Sequence, residues 1–409
     1  MIHVCYGLHD KDGRYSKFTG TSMLSMFENT SAPSNSIMVH ILHDNTLTAD
    51  NRDKFNYIAG KYNQTVQFYN VENLCAEQIQ LLREKLSLQL YTRFSIGMFY
   101  RLMLKNLPLQ NVSKIIYLDA DTIVNLDIRE LWDYPMENHM LAATPELDAT
   151  RMHMITNKWI LHSGKVKVEN YFCSGVLCLD LDKVPTDFFI QGVNWLAENT
   201  QCECPDQDFL NNFYSTNYAR LPEKFDAFAG VSKGLDQNKV YRKIYHYAGQ
   251  TALTFNIGVD ALDKLFFSYF VKTPWFNENT ILHMYEGTRQ IFVERQLFAT
   301  QVSALVSGKK RIFFTPPENT AMVKQIFFVS DSEEIIAATA TESVQNLIEI
   351  MNKKPGQLVA FAFIGNYQIF FQRMIQAGFV AGRDFVDAML FMSDANRVPM
   401  NTYPLLKML

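Results

Sequence analysis

Short runs of β-branched and aromatic residues alternate with longer stretches of helical period in the first half of this chain. This alternation is typical of an α/β sheet covered by helices. It predicts strands at residues 2–7, 37–44, 65–71 and 114–124. Each run ends in a polar cluster, and ligands of open α/β sheets bind beyond the carboxyl ends of the strands. We therefore expect one crevice to be lined by His9, Asp10, His43, Asp44, Asp119 and Asp121.

The strand and helix rhythm restarts after about residue 285. It predicts strands at 324–330, at 357–365 and in DFVDAMLFM, with helical segments between them. We therefore predict two domains, residues 1–284 and a smaller C-terminal α/β domain of residues 285–409. The turn AFIGN lacks the further glycines of a dinucleotide fingerprint. This favours a packing or partner-binding role for the C-terminal domain, including self-association.

Composition limits the classes of partner. Of the 409 residues, 38 are Lys or Arg and 42 are Asp or Glu, a net charge of −4, so we expect no nucleic-acid partner. No apolar run reaches the roughly 18 residues of a transmembrane segment. The N-terminus lacks a signal-peptide pattern, and six irregularly spaced cysteines are typical of reduced thiols, which together favour the cytoplasm. Cys202 and Cys204 lack the partners that structural zinc requires.

The strongest local signal is Asp119-Ala120-Asp121, which follows an apolar strand directly. Two carboxylates at a strand end can turn toward one hard divalent cation, such as Mg²⁺ or Mn²⁺, that shares its coordination sphere with a diphosphate. The small Ala120 leaves room for a ligand. Solvated turn residues are the alternative interpretation.

His246 lies in the strand-like segment Lys243–Gly249. Such a histidine is commonly a satisfied core residue. As a third ligand, its imidazole would favour Mn²⁺ over Mg²⁺. Gly249 would allow close approach of the backbone to a phosphate.

Two further polar positions need an explanation. In CPDQDFLNNF, helix capping explains one Asp but leaves Gln207 beside Asp206 unexplained. Arg101 lies on an apolar helical stretch, either as a snorkelling surface residue or as a clamp for a diphosphate or a carboxylate.

Taken in order, FYRLML, YLDADTIV, YFCSGVLCLDL, CPDQDFLN and IYHYAG resemble the family 8 retaining glycosyltransferases, over roughly residues 1–280. This family includes glycogenin and lipopolysaccharide galactosyl- and glucosyltransferases. The resemblance implies a GT-A fold with a Rossmann-like nucleotide-binding sheet, a UDP-glucose or UDP-galactose donor, Mn²⁺ and retention at the anomeric carbon. With its C-terminal extension, the chain is similar to bacterial enzymes that extend O-glycans on serine-rich-repeat adhesins, which implies a glycan or glycoprotein acceptor.

The resemblance also implies residue roles. The Mn²⁺ ligands would be Asp119, Asp121 and His246. Gln207 would lie near the reacting face of the sugar and Asp206 on its hydroxyls, as the catalytic pair. Donor binding would fall to Gly7, Asp10, Tyr15, Arg101, Ala120, Ser174 and Gly249, with Asp10 and Tyr15 on the uracil and ribose.

This sequence departs from the family pattern at several points. Cys173 stands where the family commonly has Asn, the loop between Asp10 and Tyr15 is longer than usual, and no diphosphate-binding lysine follows Gly249. Lys272, in the segment Lys272–Trp275, is a candidate substitute for that lysine, although it belongs to a different segment of the family pattern.

The alternatives are a non-catalytic nucleotide-sugar or glycan-binding protein on the same fold, and a nucleotidyltransferase, which also uses paired carboxylates. The complete ligand set favours a hexosyltransferase over both alternatives. Because no unmistakable nucleophilic carboxylate stands at the sugar, we expect front-face substitution rather than a covalent route through Asp206, which the family places on sugar hydroxyls.

Overall fold

The computed structural model describes ten segments of the chain: 1–86, 95–109, 111–146, 159–229, 239–248, 261–282, 306–327, 329–339, 341–364 and 367–388. The chain divides into two compact units, one within residues 1–282 and one within residues 283–408. The boundary predicted between residues 284 and 285 lies outside the described residues.

The strands of the first unit form two sheets. They are β1 (Ile2–Leu8), β2 (Ile37–His43), β3 (Thr65–Asn70), β4 (Lys114–Leu118), β5 (Thr122–Val124), β6 (Leu141–Pro145), β7 (Phe172–Asp180), β8 (Ala219–Arg220), β9 (Ala227–Phe228) and β10 (Ile244–His246). Within the described residues, the large sheet has the order β3-β2-β1-β4-β7-β6-β8, and the small one β5-β10-β9. Strands β1 to β4 are parallel, whereas β7 runs antiparallel to β4 and β6. The predicted mixed α/β architecture is therefore confirmed.

The large sheet is covered on both faces. Alternate residues of β4 enter two separate apolar clusters, Ile116 and Leu118 in one, Ile115 and Tyr117 in the other. This follows from the period of two in a strand. The α-helices of the unit are Arg14–Asn29, Ala49–Lys61, Val71–Leu74, Ala76–Lys85, Arg129–Trp132, Trp159–His162, Phe188–Glu198, Pro205–Tyr214 and Ala261–Phe270. The 3₁₀ helices are Ile96–Asn106, Val168–Asn170 and Glu223–Phe225.

The predicted strand 114–124 is two strands, β4 and β5, which belong to different sheets. The Asp-x-Asp segment lies in the break between them. The Asp119 N–H donates to the carbonyl of Gly175 at 2.8 Å, which extends the pairing of β4 with β7 by one residue. The chain then turns into β5, so both carboxylates leave the pleated sheet at its edge.

The second unit is a parallel α/β sheet. Its strands are β11 (Lys310–Thr315), β12 (Glu334–Ala337), β13 (Leu358–Ala362) and β14 (Phe385–Asp387), in the order β12-β11-β13-β14. Its helices are Thr320–Phe327, Thr341–Lys353 and Tyr367–Gln376, with a 3₁₀ helix at Pro317–Asn319.

Two sequence predictions for this unit were wrong. Most of the predicted strand 324–330 belongs to the helix Thr320–Phe327, and β12 lies where a helix was predicted. A short apolar run does not distinguish the two structures by itself. Val323 and Phe327, four residues apart, are both buried, which is the helical period.

No helix in the described part of the chain combines the length and the apolar character needed to cross a bilayer. All six cysteines are free thiols, five of them buried.

Candidate active site

Asp119, Asp121 and His246 meet at the carboxyl end of β4. His246 Nε2 lies 3.4 Å from Asp121 Oδ1 and 3.8 Å from Asp119 Oδ2. The three groups offer ligand atoms that all lie within 4.8 Å of one another. The His246 side chain is 5% exposed, whereas those of Asp119 and Asp121 are 26% and 31% exposed. The imidazole therefore forms the base of the cluster, and the carboxylates line the side that solvent reaches.

Strand pairing brings His246 to the carboxylates. In the antiparallel pair β5–β10, His246 stands opposite Thr122, and the next residue, Tyr247, donates its N–H to the carbonyl of Asp121 at 2.8 Å. Because Thr122 follows Asp121 directly, this register fixes the histidine beside the Asp-x-Asp segment although the two lie far apart in the sequence.

The imidazole of His246 occupies space that only a glycine leaves free. A Cβ added to Gly175 would lie 2.2 Å from His246 Cε1, a distance that real atoms do not tolerate. The ring of Phe228 lies 4.9 Å from the imidazole, centroid to centroid. Gly175 therefore makes room for the ring and, through its carbonyl, also holds the backbone of Asp119.

Burial and the neighbouring charges shift the pKa values of the cluster in opposite directions. Burial lowers the pKa of His246, but the carboxylates of Asp226 and Asp121 outweigh burial and raise this pKa well above its usual value. Partial burial raises the pKa of Asp119 to about 6, and Arg101 and His246 limit that rise. A cation that binds at His246 Nε2 must therefore displace a proton.

Arg101 is a buried carboxylate clamp, which rules out the snorkelling interpretation. It is 6% exposed. Its Nη2 donates to Asp119 Oδ1 at 2.6 Å, and its Nε lies 3.2 Å from Asp206 Oδ2. The guanidinium lies 4.3 Å from the centre of the Tyr117 ring. Arg101 thus links the predicted metal site to the predicted sugar site.

Gln207 is held by hydrogen bonds at both ends of its amide. Its Oε1 accepts the N–H of Ser174 at 3.0 Å, and its Nε2 donates to Glu146 Oε1 at 2.7 Å and to the Tyr171 hydroxyl at 2.9 Å. Ser174 Oγ in turn donates to Asp206 Oδ2 at 3.1 Å. Asp206, Gln207 and Ser174 therefore form one network beside Arg101.

Tyr15 and Asp10, the residues predicted to bind the uracil and ribose, lie in different surroundings. Tyr15 is 41% exposed, and partial desolvation together with the charges of Asp121 and Asp119 raises its pKa, so this phenol lies within electrostatic reach of the cluster. The Asp10 carboxylate, in contrast, accepts the Ser16 N–H at 3.1 Å and the Asn51 amide at 3.0 Å. It is 3% exposed and anchors the start of the helix Arg14–Asn29. Binding of uracil by Asp10 stays a prediction.

The other predicted crevice residues, His9, His43 and Asp44, bond to groups of the protein. Asp44 accepts hydrogen bonds from His9, from the Thr46 N–H at 2.9 Å and from the Tyr100 hydroxyl at 2.8 Å. Burial opposes ionisation of Asp44, but these donors hold its pKa below the usual range. His43 contacts the Asp44 carbonyl through Nδ1 at 2.8 Å. The hydrogen bonds of the Asp44 carboxylate are therefore supplied by the protein itself.

The remaining predicted positions have mixed outcomes. Ala120, between the two carboxylates, is 6% exposed. Gly7 lies on β1, where an added Cβ would be 2.9 Å from the Gly97 carbonyl, so its smallness serves packing. Gly249 lies outside the described residues. Lys272 Nζ pairs with Glu28 Oε2 at 2.6 Å, at the far end of the helix that begins near Tyr15.

Sequence reasoning missed several residues at the site. Asp226 contacts His246 Nδ1 at 3.0 Å, Glu146 binds Gln207, and Gly175 contacts the imidazole. A glycine inside a strand pattern is a recognised sign of close approach and could have revealed Gly175. No local pattern marks Asp226 or Glu146, because each acts on a residue distant in the sequence.

The donor atoms fit a divalent cation. The cluster offers carboxylate oxygens from Asp119 and Asp121 and one imidazole nitrogen from His246. Oxygen ligands suit Mg²⁺ and Mn²⁺, and one nitrogen moves the preference toward the transition metal.

The two-sheet arrangement of the first unit is the GT-A fold. The solved structure of the galactosyltransferase LgtC, in complex with donor and acceptor sugar analogs, aligns with a TM-score of 0.53 over 68% of this chain and 98% of that chain, at 18% identity. This likeness establishes the fold.

The chain belongs to glycosyl transferase family 8, whose family model matches residues 8–251. It is 25% identical over 234 residues to a "Putative glycosyltransferase" of Haemophilus influenzae, which covers 57% of this chain and 66% of that protein. It is 27% identical over 212 residues to "Probable galacturonosyltransferase-like 4" of Arabidopsis thaliana, which covers 49% of this chain and 56% of that protein. The chain thus spans less than two thirds of the length of these relatives. The predicted membership of this family is therefore confirmed.

Proposed function

We propose that this protein is a manganese-dependent retaining hexosyltransferase that transfers galactose or glucose from a UDP-sugar to a glycan or glycoprotein acceptor. The observation that carries the proposal is the convergence of Asp119, Asp121 and His246, with ligand atoms within 4.8 Å of one another. Three converging ligands on the solvent side of a sheet edge suit a cation that a substrate phosphate completes.

Asp119, Asp121 and His246 would hold the cation. The chemistry supplied by a divalent cation there is Lewis-acid stabilisation of the charge on a leaving diphosphate. Arg101 keeps Asp119 and Asp206 in fixed positions through its hydrogen bond at 2.6 Å and its contact at 3.2 Å. Since both carboxylates are paired with Arg101, neither is free to rotate when a ligand enters.

Gln207 and Asp206 would bind the donor sugar. Both are less than a tenth exposed, and the amide of Gln207 is fixed by Ser174, Glu146 and Tyr171. A preorganised carbonyl oxygen can stabilise positive charge that develops at the anomeric carbon without reorganising during the reaction. The bond from that carbon to the phosphate oxygen breaks, the bond to the acceptor oxygen forms on the same face, and the acceptor proton passes to the leaving phosphate.

A donor screen tests the proposal. Release of UDP would be measured with UDP-glucose, UDP-galactose and UDP-galacturonic acid, the last because one relative is named after galacturonosyl transfer. Each donor would be assayed with Mn²⁺ and with EDTA. We expect turnover of a hexose donor that EDTA abolishes and that falls at least about 100-fold in D119A and D121A, by loss of the Lewis acid.

The exposed Asp53 provides the matched control, since D53A removes a carboxylate away from the cluster and should keep full turnover. Unchanged turnover in D119A and D121A would remove the metal assignment. Turnover of UDP-galacturonic acid alone would change the assigned donor from a hexose to a uronic acid.

Three further assignments remain proposals from the sequence: a catalytic domain of residues 1–284 with a separate module of residues 285–409, a cytoplasmic location, and association with a partner or a second copy through that module. Sedimentation velocity on the full chain would test self-association.

A further inference from the structure

His246 has polar partners on both ring nitrogens. Its Nε2 faces Asp121 Oδ1 at 3.4 Å and Asp119 Oδ2 at 3.8 Å. Its Nδ1, on the opposite side of the ring, lies 3.0 Å from Asp226 Oδ1 and 3.8 Å from the sulfur of Cys173. Asp226 is fully buried, and its carboxylate contacts His246 on the opposite side of the ring from Asp119 and Asp121.

The fold aims Asp226 at the imidazole. Asp226 immediately precedes β9, and β9 pairs with β10 in parallel, with Phe228 beside His246. The Phe228 ring and the backbone of Gly175 limit rotation of the imidazole from other directions. The carboxylate therefore meets Nδ1 in a geometry that the backbone pairing determines.

A neutral imidazole binds a cation through one nitrogen and carries its proton on the other. A carboxylate that accepts this N–H fixes the tautomer, orients the ring and makes the ligating nitrogen more basic. We propose that Asp226 is a positioning residue of the metal site: it accepts the Nδ1–H of His246 and so presents Nε2 to the cation. This inference rests on the proposed metal site.

Cys173, Asp226 and His246 could instead form a second, fully buried ligand set for a thiophilic metal. The distance of 3.0 Å between His246 Nδ1 and Asp226 Oδ1 is that of a direct hydrogen bond, and Nδ1 cannot donate to Asp226 and ligate a metal at once. The hydrogen bond is therefore the favoured arrangement, and the test below includes Zn²⁺ to distinguish the two.

The experiment measures binding of Mn²⁺ alone to the full-length chain, with free Mn²⁺ followed by electron paramagnetic resonance. We expect D226A, and D226L, which fills the space without an acceptor, to weaken Mn²⁺ binding roughly 10- to 100-fold. D226N keeps an acceptor oxygen and should recover part of the affinity. Thermal unfolding without metal, measured in parallel, separates loss of stability from loss of affinity.

The double variant D226A/H246A tests whether Asp226 acts through His246. If it does, D226A should change Mn²⁺ affinity less than about twofold once His246 is absent, because the coupled effect is already lost. Asp384 is a buried carboxylate of the second unit that accepts the Val380 N–H at 2.9 Å. D384A is the matched control, which should lower the unfolding temperature and leave Mn²⁺ affinity unchanged.

Several results would overturn the inference. These are wild-type Mn²⁺ affinity in D226A and D226L, a D226N variant as weak as D226L, an equal loss from D226A when His246 is absent, or Zn²⁺ binding that requires Cys173. If H246A, D119A and D121A also leave Mn²⁺ affinity unchanged, the proposed function itself fails. If those three weaken it and D226A does not, only the role of Asp226 is lost.

Discussion

Asp44 and Asp119 follow two parallel strands of the same sheet, β2 and β4, yet their carboxylates lie in opposite electrostatic surroundings. Hydrogen bonds from His9, Thr46 and Tyr100 overcome burial and hold the pKa of Asp44 below its usual range. Burial raises the pKa of Asp119 to about 6, because Arg101 and His246 do not fully offset it. A strand end thus supplies a place for an acid, and the surrounding donors decide whether that acid is structural or available for a cation.

The largest expected effect comes from G175A, which changes only the Asp119 side of the comparison. The new Cβ would lie 2.2 Å from His246 Cε1, so the imidazole must move. A displacement of about 1 Å in a preorganised site can reduce activity about 100-fold. Mn²⁺ affinity and UDP release should both fall by this order.

Gly60 provides the matched control for that substitution. It lies in the helix Ala49–Lys61, and an added Cβ would meet nothing within 4 Å. G60A should leave Mn²⁺ affinity unchanged and raise the free energy of unfolding by about 0.5 kcal/mol, from helix propensity. Wild-type Mn²⁺ affinity in G175A would contradict the packing argument.

D44N should destabilise the fold by about 2 kcal/mol at pH 7, because an amide keeps only one acceptor oxygen and its NH2 group would face donors that the second carboxylate oxygen now accepts. The pKa of Asp44 is lower in the folded chain than in the unfolded one. Its stabilisation is therefore present above about pH 4 and is lost as the pH falls through the folded-state pKa. Urea unfolding at pH 7 and pH 3 should show the difference between wild type and D44N shrinking. Mn²⁺ affinity should stay unchanged, and a large loss of it would break the comparison.

D119N should change the stability in the opposite direction to D44N. Because the pKa of Asp119 is raised in the folded chain, its ionised form costs stability at neutral pH, and the cost is relieved as the pH falls through about 6. Arg101 keeps Asp206 as a partner in the variant. Without metal, D119N should be about 1 kcal/mol more stable than wild type at pH 8, less so at pH 5, and equal to it only below the unfolded-state pKa of about 4. Thermal unfolding in EDTA measures this, and a less stable D119N at pH 8 would refute it.

The smallest effect is expected for K272A. The pair Lys272–Glu28 is partly exposed, and such pairs contribute less than about 0.5 kcal/mol. The KM for the UDP-sugar should not change, since Lys272 is engaged with the far end of the helix Arg14–Asn29. A tenfold rise in KM would assign Lys272 to the donor phosphates after all.

Local patterns predicted the parts of the molecule that local chemistry determines. The runs of β1, β2, β3 and β7 are marked by their β-branched and apolar residues, and the Asp-x-Asp segment is marked by the strand before it. The convergence of Asp119, Asp121 and His246 came from the family resemblance, because the pairing of β5 with β10 joins segments that no local pattern connects.

The residues that contact the predicted site residues from behind, such as Asp226, could not be predicted from the sequence for the same reason. Asp226 stands in an ordinary-looking loop segment, and its importance depends on a pairing between β9 and β10. Asp10, which the family resemblance assigns to the uracil, also anchors a helix through Ser16 and Asn51, and no local pattern indicates this role. Side-chain hydrogen bonds between distant segments fix the positions of both Asp226 and Asp10.

Trp275 has a practical consequence for anyone who trims this enzyme. Its ring fills the space above Gly20, and its indole N–H donates to Asn51 Oδ1 at 2.8 Å. Asn51 in turn binds Asp10. A fragment that ends at residue 251, where the family match stops, would lack Trp275 and expose the part of the helix Arg14–Asn29 against which this ring packs. Expression boundaries for the first unit should therefore be drawn downstream of Trp275.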